Sequence, residues 1–289
     1  MTGPLPELEK SLDKSKIARP AATVLLVRDR SDENRSEDGQ SACNIEVFML
    51  RRNLNSDFVG GAFVFPGGGV DESDRQDPGL EAVCSGLTDA AASDQLGLAT
   101  GGLAYWVAAV RECFEEAGVL LARRDDGEMI PFADPYVVAR FGEARLKVYS
   151  GDLRIAALCS AENLTIALND IVYFSHWVTP MGPTRRFDTR FFIARMPENQ
   201  EPLHDGGETI ASVWISVDEA LERQRSGEFE MIFPTVKNLE DVAQFGSVDE
   251  LIAEVRGRSS IPMIMPQIKR DEDGGFSILV PGDDGFIEA

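Results

Sequence analysis

The sequence predicts an α/β fold, with strands and helices alternating along the chain. Runs of β-branched and aliphatic residues at 22–28 and 45–50 predict buried strands. Residues 106–121 predict a helix, because they contain no proline and a glycine only near the end. Alternating residues at 171–178 predict a further strand. With 289 residues, 43% of them hydrophobic, the chain is long enough to bury a substantial core.

The remaining elements follow in chain order. A short strand at 62–65 leads into three glycines, and the alanine-rich segment 80–98 is predicted to be partly helical. Further strands are predicted at 190–195 and 212–215. Further helices are predicted at 135–149, 153–160, 233–245 and 248–256. The last two strands, 264–269 and 276–280, flank a turn at 271–275, and this arrangement predicts a hairpin.

The composition limits the classes of partner. The net charge of −21 opposes binding to nucleic acid through phosphate attraction. No run approaches membrane-spanning length, the amino terminus lacks a signal-peptide core, and the last residues are not a peroxisomal address. The four cysteines show neither CxxC pairing nor metal-ligand spacing, which indicates buried thiols in a reducing compartment. We therefore expect a soluble cytoplasmic protein that is neither membrane-bound nor bound to nucleic acid.

Three carboxylates gather on one side of the helix predicted at 106–121. At roughly 100° per residue, Glu112, Glu115 and Glu116 fall within a narrow arc. The opposite side is apolar and consists of Leu103, Val107, Val110, Phe114 and Ala117. An isolated pair of glutamates on a helix is usually a solvated face. Like charges at this spacing repel one another, so a cation is their natural complement, and hard oxygen ligands favour Mg²⁺ or Mn²⁺.

The carboxylates are part of a longer pattern. Residues 111–118, Arg-Glu-Cys-Phe-Glu-Glu-Ala-Gly, follow the run Phe-Pro-Gly-Gly-Gly at 65–69. Together they resemble the Nudix box, G-x5-E-x7-R-E-U-x-E-E-x-G-U, in which U is a bulky apolar residue. The matching residues are Arg111, Glu112, Glu115, Glu116 and Gly118, with Cys113 and Val119 at the apolar positions.

The box is interrupted. If Gly68 is its first glycine, about 29 additional residues separate it from Arg111, and Leu103 stands eight residues before Arg111, where the middle glutamate is expected. An insertion at about 71–102 therefore splits the box. It should fold outward from the metal site and flank the substrate entrance. Such an insertion resembles the Nudix branch that includes the peroxisomal coenzyme A diphosphatases. The stretches 21–24, 177–180, 185–189 and 279–283 fit the same branch.

The resemblance implies an α/β/α Nudix sandwich with a mixed sheet, a helical insertion and a C-terminal hairpin. Residues 1–18 are then a flexible lead, and 19–289 a single domain. It also implies metal-dependent hydrolysis of a nucleoside diphosphate linked to another group, with coenzyme A or an acyl-CoA as the favoured substrate. The products would be 3′,5′-ADP and 4′-phosphopantetheine or its acyl form. The branch's coenzyme A signature is partly met, since Asp57 stands where an arginine is expected.

The resemblance also assigns roles to single residues. The metal ligands would be Gly68, Glu112, Glu115 and Glu116. Arg111 would hold a box glutamate in place, and Glu208 would act as a base or an extra ligand. Substrate contacts would come from Arg52, Arg185, Arg186 and Phe187. From the residues alone these arginines could equally be surface charge, and Glu208 could merely cap a turn. His176 is predicted to be structural.

Two other functions stay open. One is a Nudix hydrolase of NADH, ADP-ribose or another dinucleotide. The other is a non-catalytic Nudix-fold module that binds a nucleotide, although such a module could dispense with the carboxylates that this chain retains. The sequence leaves open whether the chain forms a homodimer.

Overall fold

A mixed central sheet forms the middle layer of the protein. The computed structural model describes residues 17–31, 43–54, 60–181, 185–270 and 275–287. The strands of the central sheet are β1 (Arg19–Asp29), β2 (Ile45–Arg52), β3 (Phe63–Val64), β4 (Gly67–Gly69), β8 (Ile171–Val178), β9 (Phe187–Arg195), β10 (Thr209–Ser216) and β11 (Met263–Ile264). Their order is β10-β2-β1-β9-β8-β11, with β3 beside β2 and β4 beside β1. Strand β1 is parallel to β9 and antiparallel to β2 and β4, so the sheet is mixed, as predicted.

Helices cover both faces of this sheet. Successive side chains of a strand point to opposite faces, and β1 shows the consequence. Val24 and Leu26 pack into the core on the side of helix α4 (Leu103–Ala117). Leu25 and Val27 pack into a second core on the other side. That second core is completed by α7 (Val217–Ser226), α8 (Phe233–Val242) and α9 (Val248–Gly257). The predicted α/β/α sandwich is confirmed.

Helix α4 differs from the prediction in its boundaries and its surroundings. It ends at Ala117, four residues before the predicted end, because Gly118 adopts a left-handed conformation with φ of 70° and donates its N–H to the Phe114 carbonyl. It is also buried on almost every side. Helices α1 (Glu72–Gln76), α3 (Asp89–Leu96) and α5 (Pro135–Tyr149) all pack against it, and Glu115, predicted on an exposed face, is buried.

The insertion is partly helical and packs along α4. After α1 it forms α2 (Leu80–Val83) and α3. The Asp89 carboxylate accepts the backbone N–H groups of Gly101 and Leu103, each at 3.0 Å, and so fixes the start of α4. A small sheet that the sequence did not predict joins the insertion to later segments. Its strands are β5 (Cys84–Ser85), β6 (Ala122–Arg123) and β7 (Thr165–Ala167), in the order β5-β7-β6.

The predicted strand 264–269 is split in two, because Met263–Ile264 (β11) pairs with β8 of the central sheet and a separate strand begins at Gln267. Helix α6 (Ile155–Ala161) follows α5, and β12 (Gln267–Arg270) pairs antiparallel with β13 (Phe276–Leu279) as the predicted hairpin. Asp57, residues 271–274 of the predicted turn and residues 1–16 of the predicted lead lie outside the described residues. The four cysteines are free thiols and none is exposed. Among the described helices, none combines the length and the hydropathy that crossing a membrane requires.

Candidate active site

The glycine run lies directly against the carboxyl-terminal part of α4. Strand β4 is held by β1, with Gly68 opposite Ala22. A Cβ atom on Gly68 would lie 2.5 Å from Oε1 of Glu112. A Cβ atom on Gly67 would lie 2.4 Å from Oγ1 of Thr23. A side chain at Gly68 would displace the Glu112 carboxylate, and one at Gly67 would also meet the Ala22 carbonyl of β1 at 2.6 Å, so glycine lets the loop lie this close to the helix and to β1.

Two of the predicted metal ligands face this loop. The Gly67 N–H donates to Oε2 of Glu116 at 2.8 Å, and the Glu112 carboxylate lies against Gly68. Burial raises the pKa of Glu112 to about 7, although the neighbouring Arg111 charge opposes the shift. Burial and the charge of Glu112 raise the pKa of Glu116 well above its usual range. Both carboxylates are therefore costly to keep ionised in this site without a cation beside them.

Arg111 is buried, and its guanidinium group donates hydrogen bonds to neighbouring residues of the site. Its Nε and Nη2 donate to the two Asp74 carboxylate oxygens, each at 2.9 Å. Its Nη1 donates to Glu112 at 2.8 Å and lies 3.3 Å from the Glu115 oxygens, and its Nη2 also donates to the Gly69 carbonyl. Arg111 therefore orients two of the glutamates and anchors the glycine loop.

Asp74 is the site residue that the sequence analysis missed. It is 3% exposed and forms a bidentate pair with Arg111. The signal was present, since Asp74 lies six residues after Gly68, where the box pattern places its middle carboxylate. Counting backwards from Arg111 led instead to Leu103, which is buried in the core. The inserted segment therefore begins after Asp74, within a few residues of the predicted start at 71.

A cleft of about 710 Å³ opens beside these carboxylates. Its acidic side consists of Asp71, Glu112, Glu115, Glu116 and Glu208. Its floor is formed by residues of β1, β9 and β8. Its apolar side includes Trp177, Phe187, Phe191, Phe233, Ile268 and Ile278. No described residue of the insertion after Asp71 lines the cleft. Of the predicted insertion at 71–102, only Asp71 contributes to the lining, and α1 and α3 pack against α4. The position of the insertion beside the substrate entrance stays a prediction.

Residues 81–242 match the family model of the NUDT19 Nudix domain, which is more than half of the chain. The chain belongs to the Nudix hydrolases. Acyl-coenzyme A diphosphatase NUDT19 from Gallus gallus is 30% identical over 93% of this chain and 80% of that protein. The Homo sapiens protein of the same name is 29% identical over 84% of this chain and 72% of its own.

A solved structure supports the same fold. The crystal structure of a Nudix hydrolase from Alicyclobacillus acidocaldarius has a TM-score of 0.66 and 25% sequence identity to this chain. The match covers 86% of this chain and 99% of that one. The enzyme class predicted from the box is thereby confirmed.

The donor set of this Nudix hydrolase suits a hard divalent cation, the type of ion that Nudix hydrolases use. In the described part of the chain, no group of three or more histidine, cysteine, aspartate or glutamate side chains is already arranged around one metal position. Arg111 donates hydrogen bonds to Glu112 and Glu115. Glu116 and the outer part of Glu112 face the glycine backbone, where carboxylate and carbonyl oxygens could meet a cation. The carboxylate and carbonyl oxygens of these residues therefore suit a hard divalent cation.

The predicted substrate residues divide into two groups. Arg52, Arg185 and Phe187 line the cleft. Arg186 does not, and its assignment is corrected. Its side chain is buried, and its Nε donates to the carbonyls of Thr179 and Pro180 at 3.1 Å. Of these two adjacent arginines, only Arg185 therefore lines the cleft.

Glu208 lies at the rim of the cleft and is exposed. Its backbone carbonyl accepts the N–H of Asn53 at 2.9 Å, which ties the loop to the end of β2. The Tyr149 hydroxyl, which the sequence analysis did not consider, donates to Oε1 of Glu208 at 3.5 Å. The negative charge of Glu208 contributes to the raised pKa of Glu116. Glu208 therefore lines the same cleft as the carboxylates of α4.

His176 is part of a buried cluster outside the cleft. Its Nε2 lies 2.7 Å from Oδ1 of Asp188, and the Arg190 guanidinium contacts both side chains. Burial lowers the pKa of His176 despite the neighbouring Asp188. Burial alone would raise the pKa of Asp188, but the bond to His176 and the charge of Arg190 lower it below its usual range.

Asp188→Asn is expected to lower the free energy of unfolding at pH 7 by about 3 kcal/mol, because Arg190 would stay buried without its counter-charge. A lowered pKa means that the stabilisation is present above the unfolded pKa of 3.8 and is lost as the pH falls through the folded value. Urea unfolding measures the free energy of unfolding of wild type and Asp188→Asn. The difference between them should be smaller at pH 3 than at pH 7. Asp126→Asn, in an exposed pair with Arg124, is the matched control and should cost less than about 1 kcal/mol. Equal losses in the two variants would contradict this account.

Proposed function

We propose that this Nudix hydrolase is a coenzyme A or acyl-CoA diphosphatase. The reaction would yield 3′,5′-ADP and 4′-phosphopantetheine or its acyl form. The observation that carries the proposal is the cleft, which joins a carboxylate cluster to a long apolar wall. A substrate that carries a diphosphate and an apolar chain complements this cleft, because the diphosphate suits a metal ion held by the carboxylates and the chain suits the apolar wall. The names of the Gallus gallus and Homo sapiens relatives support the same substrate class.

We propose that Gly68, Glu112, Glu115 and Glu116 hold Mg²⁺ or Mn²⁺. Such an ion, when bound, polarises the diphosphate and lowers the pKa of a water molecule. Arg111 sets the positions of Glu112 and Glu115, and the Gly67 N–H sets the position of Glu116. Glu208 would accept a proton at its exposed carboxylate, where the Tyr149 hydroxyl holds one oxygen.

The net charge of −21 repels an anionic substrate at long range, so recruitment depends on arginines at close range. Arg52 and Arg185 line the cleft and are proposed to bind substrate phosphates, with Phe187 beside them. The free cysteines support a reducing compartment, for which we propose the cytoplasm. The same acidity makes nucleic acid and anionic membranes unfavourable partners.

Arg52→Ala or Arg185→Ala should raise KM by about 10-fold and leave kcat within about 2-fold, because a phosphate contact made equally in ground and transition states contributes to binding alone. If one of them reads the 3′-phosphate, the effect should shrink with dephospho-CoA. Arg51→Ala is the matched control, since Arg51 is exposed and its Nε donates to the Gly61 carbonyl. Unchanged KM in both cleft variants would place the phosphates elsewhere.

The deciding experiment is product analysis by mass spectrometry. The protein is incubated with Mg²⁺ or Mn²⁺ and one substrate at a time. The substrates are CoA, several acyl-CoA esters, NADH and ADP-ribose. Release of 3′,5′-ADP from CoA or its esters is expected. AMP from NADH or ADP-ribose, with CoA untouched, would replace the proposal by a dinucleotide hydrolase. Binding without products from any substrate would indicate a non-catalytic module.

A further inference from the structure

The C-terminal hairpin forms one wall of the cleft. Ile268 of β12 and Ile278 of β13 are direct cross-strand partners, so their side chains lie on the same face of the hairpin. Both line the cleft, together with Pro266. In the described part of the chain, β12 and β13 form their own two-stranded sheet, separate from the central one. The aliphatic wall is therefore provided by an appended element rather than by the catalytic core.

The strand register gives the distance from the glycine loop to this wall. Gly69, Ala21, Thr189, Trp177 and Ile264 form one row of paired residues across five strands. Four strand spacings of about 4.8 Å place Ile264 about 19 Å from Gly69. The hairpin begins three residues after Ile264. An extended pantetheine arm spans about 15 Å from phosphorus to sulfur, at about 3.5 Å for every three chain bonds. With its diphosphate at the glycine loop, such a substrate would place its thioester near β11, from which the chain continues into the hairpin.

The distribution of charge decides which half of the substrate faces the hairpin. The positively charged side chains that line the described cleft are Arg52, Arg111 and Arg185, and none belongs to the hairpin. The 3′-phosphate on the adenosine half needs a cation. An aliphatic acyl chain instead gains free energy from each methylene group that it buries. The adenosine half therefore suits the arginines, and the acyl half suits Ile268 and Ile278.

We propose that the hairpin face of Pro266, Ile268 and Ile278 is an acyl-chain subsite that gives the enzyme its preference among acyl-CoA esters. This inference rests on the proposed function and adds to it the element that recognises the acyl group. The wall contributes through apolar contact alone, so it acts on binding of the chain and not on the diphosphate.

The test compares Ile268→Ala and Ile278→Ala with the wild-type enzyme on free CoA, acetyl-CoA and octanoyl-CoA. For octanoyl-CoA, kcat/KM should fall at least about 10-fold, the lower end of the effect of one methylene in an apolar pocket. For free CoA it should stay within about 2-fold, since the diphosphate contacts are unchanged. The matched control is Leu279→Ala. Leu279 is on the opposite face of β13, towards Gly285, and does not line the cleft.

Ile278→Trp is the second variant, because it adds bulk at the same position and keeps an apolar side chain there. It should exclude octanoyl-CoA while acetyl-CoA is still cleaved, with a thermal unfolding midpoint close to that of wild type. Equal losses for free CoA and octanoyl-CoA would place the adenosine or pantetheine half at the hairpin and overturn the inference. An unaltered ratio between the two substrates would also overturn it, while leaving the diphosphatase function intact. Failure of wild type to cleave any CoA ester would instead reject the proposed function.

Discussion

Glu116→Gln is expected to lower kcat at least about 10²-fold, comparable to the loss of other electrostatic stabilisers in enzymes. The same change should not lower the thermal unfolding midpoint of the metal-free protein. Burial and the Glu112 charge raise the pKa of Glu116, so its ionised form opposes folding, and a neutral amide removes that cost. The unfolding midpoint measured with and without Mg²⁺ should shift less in the variant than in wild type.

The matched control is Glu143→Gln on α5, an exposed glutamate that does not line the cleft. It should retain wild-type kcat and the full Mg²⁺-induced shift. Glu115→Gln is a less selective test than the sequence suggested, because Glu115 is buried against Arg111 rather than exposed on an open helix face. A near wild-type rate for Glu116→Gln at saturating Mg²⁺ would remove Glu116 from the metal site.

The layers of the fold could be predicted from the sequence because their residues repeat with the period of their secondary structure. The alternation of β1 between two cores shows this directly. The small β5-β7-β6 sheet could not be predicted, since strands of two or three residues carry no measurable period. The burial of α4 was missed for a related reason. Asp74 of α1 pairs with Arg111, and Arg145 of α5 donates to the Glu115 carbonyl, and both contacts arise only in the tertiary structure.

The part of the site whose residues are close together in the sequence could be predicted. The part that is assembled from distant segments could not. The spacing from Arg111 to Glu116 indicated the carboxylate cluster. The apolar wall combines strands β8 and β9, the start of α8 and the hairpin, which only the folded chain brings together. Arg185 and Arg186 are the same residue type and adjacent in the sequence, so the sequence cannot distinguish them. In the folded chain Arg185 lines the cleft, and Arg186 is bonded to the Thr179 carbonyl in the interior.

Asp74→Asn is expected to weaken both the metal site and the fold. The amide keeps the shape of Asp74 but removes the charge that the buried Arg111 contacts with two hydrogen bonds. Arg111 would retain Glu112 and Glu115, so the free energy of unfolding should fall by about 2 kcal/mol, less than for the complete loss of a buried pair. The guanidinium would be drawn further onto Glu112. Half-maximal activation should therefore need about 10-fold more Mg²⁺, as for other residues that orient metal ligands.

The readout that separates positioning from mere stability is the Mg²⁺ titration. In Asp74→Asn, activity at limiting Mg²⁺ should fall more than activity at saturating Mg²⁺, whereas a purely structural defect lowers both alike. Asp74→Glu restores the charge that the box pattern has at this position and should recover most of the Mg²⁺ affinity. The control is Asp94→Asn on α3, because Asp94 is exposed and does not line the cleft. If Asp74→Asn required no more Mg²⁺ than Asp94→Asn, Asp74 would not position the glutamates through Arg111.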